Sequence, residues 1–446
     1  MHRIFIVLIG LYSLTACTTS EVLVAHSVDL RSSVEAIPEE QLLDVGIVVF
    51  DPGVPEGEIP EAEVEQLMAE GSFPQVRRAE SLYMAVELRD TLQQSGHWGG
   101  VWVTPEESTA ADLNVSAEIL QSDGATARLQ VEARDALGRV WLNEPYELET
   151  AAGVYNRGRY PDKDPYQDLF NSIANDLAEL RAELSAEESR EIRTVADLRY
   201  ASELSPEAFD GYVIVNRSGE FEPVRLPAAD DPMFDRTQRV RQREQLFFDT
   251  LNQHYASFSA DASESYDSWR EYAREEAIAI REITRQSRWQ TGLGIATILA
   301  AIAYGSNSSN DAYSDYLIQQ GITYIGMEMI RSGAIRRQER RLHTETLEEL
   351  SLSFDESVEP LVVEIQGTQH RLTGTVETQY AEWRELLQDL FVSETGFAPE
   401  NLDVYMEAEP ETADETQLLE TDVDPGAEAD AEEDVTDADG GTVSGV

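Results

Sequence analysis

Residues 111–138, with the sequence ADLNVSAEILQSDGATARLQVEARDALG, contain a strong hairpin signal between two alternating runs. Apolar residues occupy alternate positions from Leu113 to Ile119 and again from Ala127 to Ala133. Such alternation is typical of strands that bury one face. Between the two runs, Asp123-Gly124 is a strong signal for a tight hairpin turn. The stretch therefore predicts two antiparallel strands with one apolar face.

The flanking sequence adds further elements to this hairpin. Residues 45–50 are apolar and β-branched and predict a buried strand, and residues 76–92 repeat apolar side chains at helical spacing before a Ser95-Gly96 stop. Residues 101–103 and 139–148 predict two more strands. Residues 44–150 thus predict a small α+β domain, whose sheet packs one face on the helix and turns the other to water or a partner.

Four motifs in this region resemble a known kind of domain. They are Ile47-Val48-Val49-Phe50, residues 88–96, Ala111-Asp112-Leu113-Asn114-Val115 and Asp135-Ala136-Leu137-Gly138. In this order they resemble the amino-terminal domain of the Tol-system propeller protein and the core of the curli-secretion lipoprotein family. The resemblance implies a docking or assembly domain and brings no catalytic residue. An acidic insertion at residues 54–70 departs from the pattern.

The amino terminus has the pattern of an export signal. His2 and Arg3 precede an apolar run at residues 4–14, which ends in Leu14-Thr15-Ala16-Cys17. The run is shorter than the about 20 residues that a membrane span needs, and a charged start, apolar middle and small-residue end are typical of a cleaved signal peptide. The last four residues resemble the lipobox of bacterial lipoproteins. That resemblance implies removal of residues 1–16, lipid such as palmitate on Cys17, and, because Thr18 is not Asp, an outer-membrane anchor facing the periplasm.

Composition limits the chemistry and the partners. Cys17 is the only cysteine of the 446 residues, so no disulfide can form within the chain, and with lipid on Cys17 no cysteine nucleophile or thiolate metal site remains. The formal net charge of -53 argues against nucleic acid and anionic lipid head groups as partners, because both would be repelled. Residues 17–43 are predicted to be a tether between the lipid and the first domain.

Residues 164–396 predict a mainly helical region. A helix from about residue 236 to residue 290 keeps apolar side chains at spacings of three, four or seven, without Gly or Pro. Such sustained periodicity predicts a coiled-coil-like arm, and an ordinary long helix of one bundle is the alternative. Towards the end of the region, residues 360–374 predict a β-hairpin and residues 376–390 a closing helix.

A glycine-rich segment at residues 291–333 is the most unusual part of the mature chain. Small residues at such intervals let two helices approach closely, and the candidate packing positions are Gly292, Gly294, Gly321, Gly326 and Gly333. The segment predicts a helical hairpin. One alternative is a hairpin buried in a soluble domain, and the other is a hairpin that enters the membrane or forms an oligomer.

Two charged segments follow it. A basic cluster contains Arg331, Arg336, Arg337, Arg340 and Arg341. Most such clusters are solvated helix faces that pair with nearby Glu, and the alternative is that Arg336, Arg337, Arg340 and Arg341 contact the protein's own acidic surface or an acidic partner. Residues 403–446 contain no Lys or Arg and are rich in Asp and Glu. Such a composition predicts a disordered acidic tail, with no more than weak, nonspecific binding of divalent cations.

The sequence predicts no catalytic residue, metal site or cofactor. None of its six histidines has a second histidine three or four residues away, and no nucleophile elbow or phosphate-binding glycine loop is present. We therefore expect a non-catalytic, lipid-anchored periplasmic scaffold or accessory subunit that binds other envelope proteins. The alternative is an oligomeric, membrane-inserted secretion or pore component, a homo-oligomer built through the glycine-rich helices.

Overall fold

A computed structural model describes residues 27–288, except 56–58, 61–62, 65–66, 68–71, 152 and 157–162, and residues 362–395, except 366–367 and 374. The predicted α+β class is confirmed in this part of the chain. Its elements, in chain order, are β1 (Val45–Val48), α1 (Pro74–Ser95), β2 (Val101–Thr104), β3 (Leu113–Ser122), β4 (Thr126–Asp135), β5 (Val140–Glu149), α2 (Gln167–Ala182), α3 (Ala186–Leu204), α4 (Pro206–Phe209), β6 (Val213–Val215), β7 (Phe221–Pro223), α5 (Pro232–Arg288), β8 (Val362–Ile365), β9 (Thr368–Arg371) and α6 (Val376–Thr395).

The first five strands form one mixed sheet in the order β2-β1-β3-β4-β5. β1 lies between β2 and β3 and is parallel to both, with Val45 opposite Val101 on one side and Leu113 on the other. β3, β4 and β5 follow as an antiparallel meander. The hairpin predicted at Asp123-Gly124 is confirmed, since it joins β3 to β4 and places Ile119 opposite Leu129.

One face of this sheet is buried, as the alternation predicts. The side chains of Leu113, Val115, Ala117 and Ile119 are buried, whereas Glu118 on the opposite face is exposed. α1 packs against β1 and β2, α2 packs against β5, and the two helices contact each other. The predicted end of α1 is also confirmed: Gly96 adopts a left-handed conformation with φ 68° and closes the last turn.

The long helix α5 runs for 57 residues and packs along this body. Its seam residues Phe248, Leu251, Tyr255 and Trp269 are buried, and they belong to the same hydrophobic core as the sheet. α5 contacts α1, β2, α3 and α6. The structure thus favours the alternative of a long helix within one bundle, because described residues of this chain cover the seam from Phe248 to Ala273. The described parts of regions 44–150 and 164–396 share one core.

The segment before β1 lies against α2. The Val28 N–H donates to Asp168 Oδ1 at 3.1 Å, and the Arg31 N–H donates to Asn175 Oδ1 at 2.8 Å. Asn171 Nδ2 donates in turn to the Val28 carbonyl at 2.7 Å. The beginning of the described part of the predicted tether is therefore bound to the body, because side chains spaced along α2 satisfy its backbone.

Two elements near the end of the described chain agree with the sequence. β8 and β9 pair in antiparallel fashion and confirm the predicted β-hairpin, and α6 confirms the closing helix. α3 was not predicted from the sequence. Its amino terminus nevertheless carries a capping box, in which Ser185 accepts from the Glu188 N–H and the Glu188 side chain accepts from the Ser185 N–H.

Candidate functional site: the mount of the long helix

The middle of α5 closes one edge of the sheet. β2 is an edge strand, and the side-chain amide of Asn252 takes the place of a neighbouring strand beside it. The Val103 N–H donates to Asn252 Oδ1 at 2.8 Å, and Asn252 Nδ2 donates to the Val103 carbonyl at 2.9 Å. Because an open edge invites pairing with another chain, these bonds both position the helix and protect the strand.

The buried guanidinium of Arg270 binds the carboxyl-terminal half of α5 to the rest of the chain. Its terminal nitrogens donate to the two oxygens of Asp164 at 3.0 and 2.7 Å, and it also pairs with Asp267 one turn away. Three tyrosine rings surround it with centroids 4.0 to 5.6 Å from the guanidinium carbon, and they belong to Tyr83, Tyr166 and Tyr266. We call these six residues the Arg270 cluster. A buried charge is tolerated when it is paired and hydrogen-bonded in this way.

Asp164 carries the negative charge of the cluster. Burial raises its pKa, but the charge and hydrogen bonds of Arg270 outweigh burial and leave the pKa below its ordinary value. The Tyr83 hydroxyl and the Tyr166 N–H also donate to this carboxylate, at 3.0 and 2.7 Å. The loop that contains Asp164 is therefore tied to both α1 and α5.

Glu80 connects the Arg270 cluster to the sheet. Its Oε1 accepts from the Tyr266 hydroxyl at 2.7 Å and from Ser122 Oγ at 2.6 Å, while Arg77 Nε lies 3.7 Å from Oε2. Burial raises the pKa of this fully buried carboxyl, and the neighbouring donors oppose that shift. The contacts join α1, β3 and α5 through one side chain.

Glu87 lies at the rim of the same cluster. Burial, and after it the charges of Asp164 and Asp90, raise its pKa from 4.5 to about 8, although Arg270 and Arg89 oppose the shift. Since the pKa of Asp164 is lowered, Asp164 carries the charge and Glu87 holds a proton at neutral pH. The two acids therefore do not repel each other below about pH 8.

We expect replacement of Glu87 by glutamine to flatten the pH dependence of stability. Between pH 4.5 and about 8 the folded chain keeps a proton on Glu87 that the unfolded chain has lost. The free energy of unfolding therefore falls as pH rises through this window, by at most about 1.4 kcal/mol per pH unit. A glutamine side chain cannot ionise, so urea unfolding of Glu87→Gln from pH 5 to 9 should lose this slope.

Glu179→Gln is the matched control for that series. The Glu179 side chain is 65% exposed beside Arg31, so this variant should keep the slope of the parent chain. A Glu87→Gln variant whose slope equals that of the parent would contradict the assignment of the proton to Glu87.

A second buried arginine, Arg241, binds the amino-terminal half of α5 to the rest of the chain. It donates to Asp112 Oδ1 at 2.9 Å and to Asp197 Oδ1 at 2.5 Å. Asp112 Oδ2 accepts in turn from the Asp44 N–H at 2.9 Å. We call these four residues the Arg241 cluster. Asp112 belongs to the motif Ala111-Asp112-Leu113-Asn114-Val115, so in this chain that motif attaches the start of β3 to the long helix.

One turn further on, Glu244 joins three helices. The hydroxyls of Tyr200 on α3 and Tyr380 on α6 each donate to its carboxyl at 2.7 Å. Burial raises the pKa of Glu244, and these two hydrogen bonds oppose that shift. The bonds hold α6 against α5, because a buried carboxyl without such donors would destabilise the fold.

The close approach of α5 to the β3–β4 turn depends on Gly124. Its φ of +75° is in the left-handed region, and a Cβ built on it would lie 2.0 Å from the Arg270 carbonyl oxygen. The helix backbone thus crosses the turn where no side chain fits. The Arg270 cluster can form only because this position is glycine.

We call the Arg270 cluster, the Arg241 cluster, Glu80, Glu244 and Asn252 together the mount of α5. These residues attach the helix to the rest of the chain. The two arginines of the mount are paired with buried carboxylates, and its glutamates Glu80 and Glu244 accept hydrogen bonds from tyrosine hydroxyls. In the part of the chain that the structure describes, no group of three or more His, Cys, Asp or Glu side chains is arranged to hold a metal ion. Within the same residues, none of the helices has the length and apolar character that crossing a membrane would require.

The site residues predicted from the sequence all lie outside the described residues. They are the lipidation site Cys17, the glycines Gly292, Gly294, Gly321, Gly326 and Gly333, and the arginines Arg336, Arg337, Arg340 and Arg341. Those assignments, the predicted hairpin at residues 291–333 and the predicted disordered tail at residues 403–446 stay predictions.

The residues of the mount were not predicted from the sequence, although a signal for some of them was present. Glu244 and Arg270 lie four residues after the buried Val240 and Tyr266, so both fall on the apolar seam of α5. A charged residue at a core position needs a buried partner. No feature of the sequence identifies that partner as Asp164, which lies 106 residues away in a loop.

No protein-family model, curated protein sequence or solved structure matches this chain.

Proposed function

We propose that this protein is a lipid-anchored component of the cell envelope, which acts in the periplasm as a scaffold or accessory subunit without catalysis. Lipid on Cys17 would hold it to the outer membrane, and its partners would be other envelope proteins. The net charge of -53 makes nucleic acid an unfavourable partner.

The observation that carries this proposal is the mount of α5. Two buried ionic clusters and the Asn252 edge contact attach a 57-residue helix to the α+β body along one side. At 1.5 Å per residue such a helix is about 85 Å long. A long element held at several points keeps fixed distances between the surfaces it carries, which is what a scaffold requires.

The docking of residues 28–31 on α2 supports an anchor close to the body. With lipid on Cys17, only residues 18–27 would separate the anchor from the first bound residues. A chain of this length reaches at most about 40 Å. The body would therefore stay near the membrane surface. The pore alternative depends on residues 291–333, outside the described residues, and no described contact favours it.

The anchor is tested by Cys17→Ser in the full chain. We expect the parent to incorporate labelled palmitate and to remain with membranes after a high-salt wash, because several acyl chains anchor stably. Cys17→Ser should lose both properties. Thr18→Ser, one residue further on, is the matched control and should behave like the parent. Palmitate labelling of Cys17→Ser, or its retention in the washed membranes, would contradict the proposal.

A further inference from the structure

The small β6–β7 hairpin exposes an unusual amount of apolar surface. Nine large hydrophobic side chains are exposed among the described residues, and four of them lie between residues 214 and 226. Ile214, Val215, Val224 and Leu226 are 48 to 63% exposed. Exposed apolar residues scattered singly are common, whereas four of them within thirteen residues single out this hairpin as a candidate interaction surface.

The backbone of β6 is also open on one side. Ladder bonds join Val224 to Tyr212 and Asn216 to Glu220, so the alternation of an antiparallel pair turns the N–H and C=O groups of Val213 and Val215 away from β7. Among the residues that the structure describes, these outward groups have no hydrogen-bond partner. A strand edge in this state is a template for another strand.

On β7, β2 and β5, at least one outward backbone position is bonded, covered or lacks an N–H group. On β7, the Phe221 N–H donates to the Leu137 carbonyl at 2.8 Å, and Pro223 has no N–H. Asn252 covers β2. In β5, Pro145 occupies a position whose backbone faces away from β4 and so removes a donor from the middle of that edge. The open edge of β6 thus differs from these three.

We propose that a second copy of this chain docks on this edge, with β6 antiparallel to β6 about a two-fold axis at Ile214. Val213 of one copy then exchanges both backbone hydrogen bonds with Val215 of the other, and the two hairpins form one four-stranded sheet. The contact is self-complementary, as a two-fold interface must be. All three residues of the strand are apolar and uncharged.

Charges at the ends of β6 fit the same arrangement. Asp210 precedes the strand and Arg217 follows it, and both are exposed. About an axis at Ile214, Arg217 of one copy lies beside the segment that holds Asp210 of the other. Opposite charges thus meet at both ends of the strand pair, which favours the antiparallel register.

The experiment traps the contact with a disulfide. Residue 214 would face its counterpart in a pair without backbone hydrogen bonds, where Cα atoms are about 4.5 Å apart and a disulfide can form. In the full chain, whose only natural cysteine is Cys17, Ile214→Cys in a glutathione redox buffer should give at least about tenfold more covalent dimer than the parent. An interface of three residues is small and reversible, which is why it needs trapping.

Three further variants decide the outcome. Val34→Cys, at a side chain that is 99% exposed, measures random collision and should not exceed the parent. Within Ile214→Cys, Val215→Pro removes an outward N–H and should abolish the dimer, while Val215→Thr keeps the N–H and should retain it. Equal linking at residues 34 and 214, no dimer from Ile214→Cys, or equal linking with proline and threonine at residue 215 would each overturn the proposal.

Discussion

Arg270→Met is expected to lower the free energy of unfolding by about 3–5 kcal/mol, the cost typical of removing one partner of a buried ion pair. Methionine fills much of the same space, so the loss would come from the charge that remains. Asp164 is buried among Arg270, Tyr83 and the Tyr166 backbone, and without Arg270 its carboxylate has no cation in hydrogen-bond contact among the described residues. Chemical denaturation of the full chain measures the change.

Two variants separate this effect from general damage to α5. Arg281 is on the same helix and pairs with Asp123 at 2.9 Å, but its side chain is 42% exposed, so Arg281→Met should cost at most about 1 kcal/mol. Adding Asp164→Asn to Arg270→Met removes the unpaired charge of the Asp164 carboxylate and should recover part of the stability. Equal losses for Arg270→Met and Arg281→Met would show that the Arg270 cluster does not fasten the helix.

Gly124→Ala is expected to destabilise the chain by about 2–5 kcal/mol, the sum of left-handed strain and overpacking. The new Cβ would meet the Arg270 carbonyl oxygen at 2.0 Å and the Arg274 nitrogen at 2.8 Å. Neither is the end of a flexible side chain, so the helix itself must move away from the turn. Thermal and urea unfolding both measure the loss.

Gly219→Ala is the control for backbone strain alone. Gly219 also occupies a hairpin turn, with φ +84°, but a Cβ there would have no atom within 4 Å. We expect a cost of about 1–2 kcal/mol from the left-handed conformation only. If Gly124→Ala and Gly219→Ala lower the free energy of unfolding by the same amount, then α5 does not cross closely over Gly124.

The local parts of the fold could be predicted from the sequence. Alternation at residues 113–119 and 127–133 and the turn chemistry of Asp123-Gly124 are short-range signals, and the structure confirms both strands and the hairpin. The periodicity of α5 predicted the helix because it continues over many turns. The sequence showed that Gly124 suits a tight turn, but not that a helix backbone crosses the same residue.

The mount itself depends on contacts between distant residues, which periodicity does not reveal. Asn252 and Val103 are 149 residues apart, and Tyr266 and Glu80 are 186 apart. A seam that is apolar apart from a few charges fits a coiled-coil partner as well as it fits the chain's own sheet. The predicted tether, residues 17–43, was missed as a bound segment for a related reason. The asparagines that bind Val28 and Arg31 lie on α2, more than 140 residues further along the chain.

We expect α5 and the sheet to form one rigid unit, and native-state hydrogen exchange of the full chain measures whether they open together. Amides of α5 between residues 241 and 273 should open with the same free energy as those of β3 and β4, because the buried clusters join them in one cooperative unit. Arg270→Met should lower both by the same amount. If amides of α5 exchange at a clearly lower free energy than those of the sheet, the helix and the sheet are not one cooperative unit.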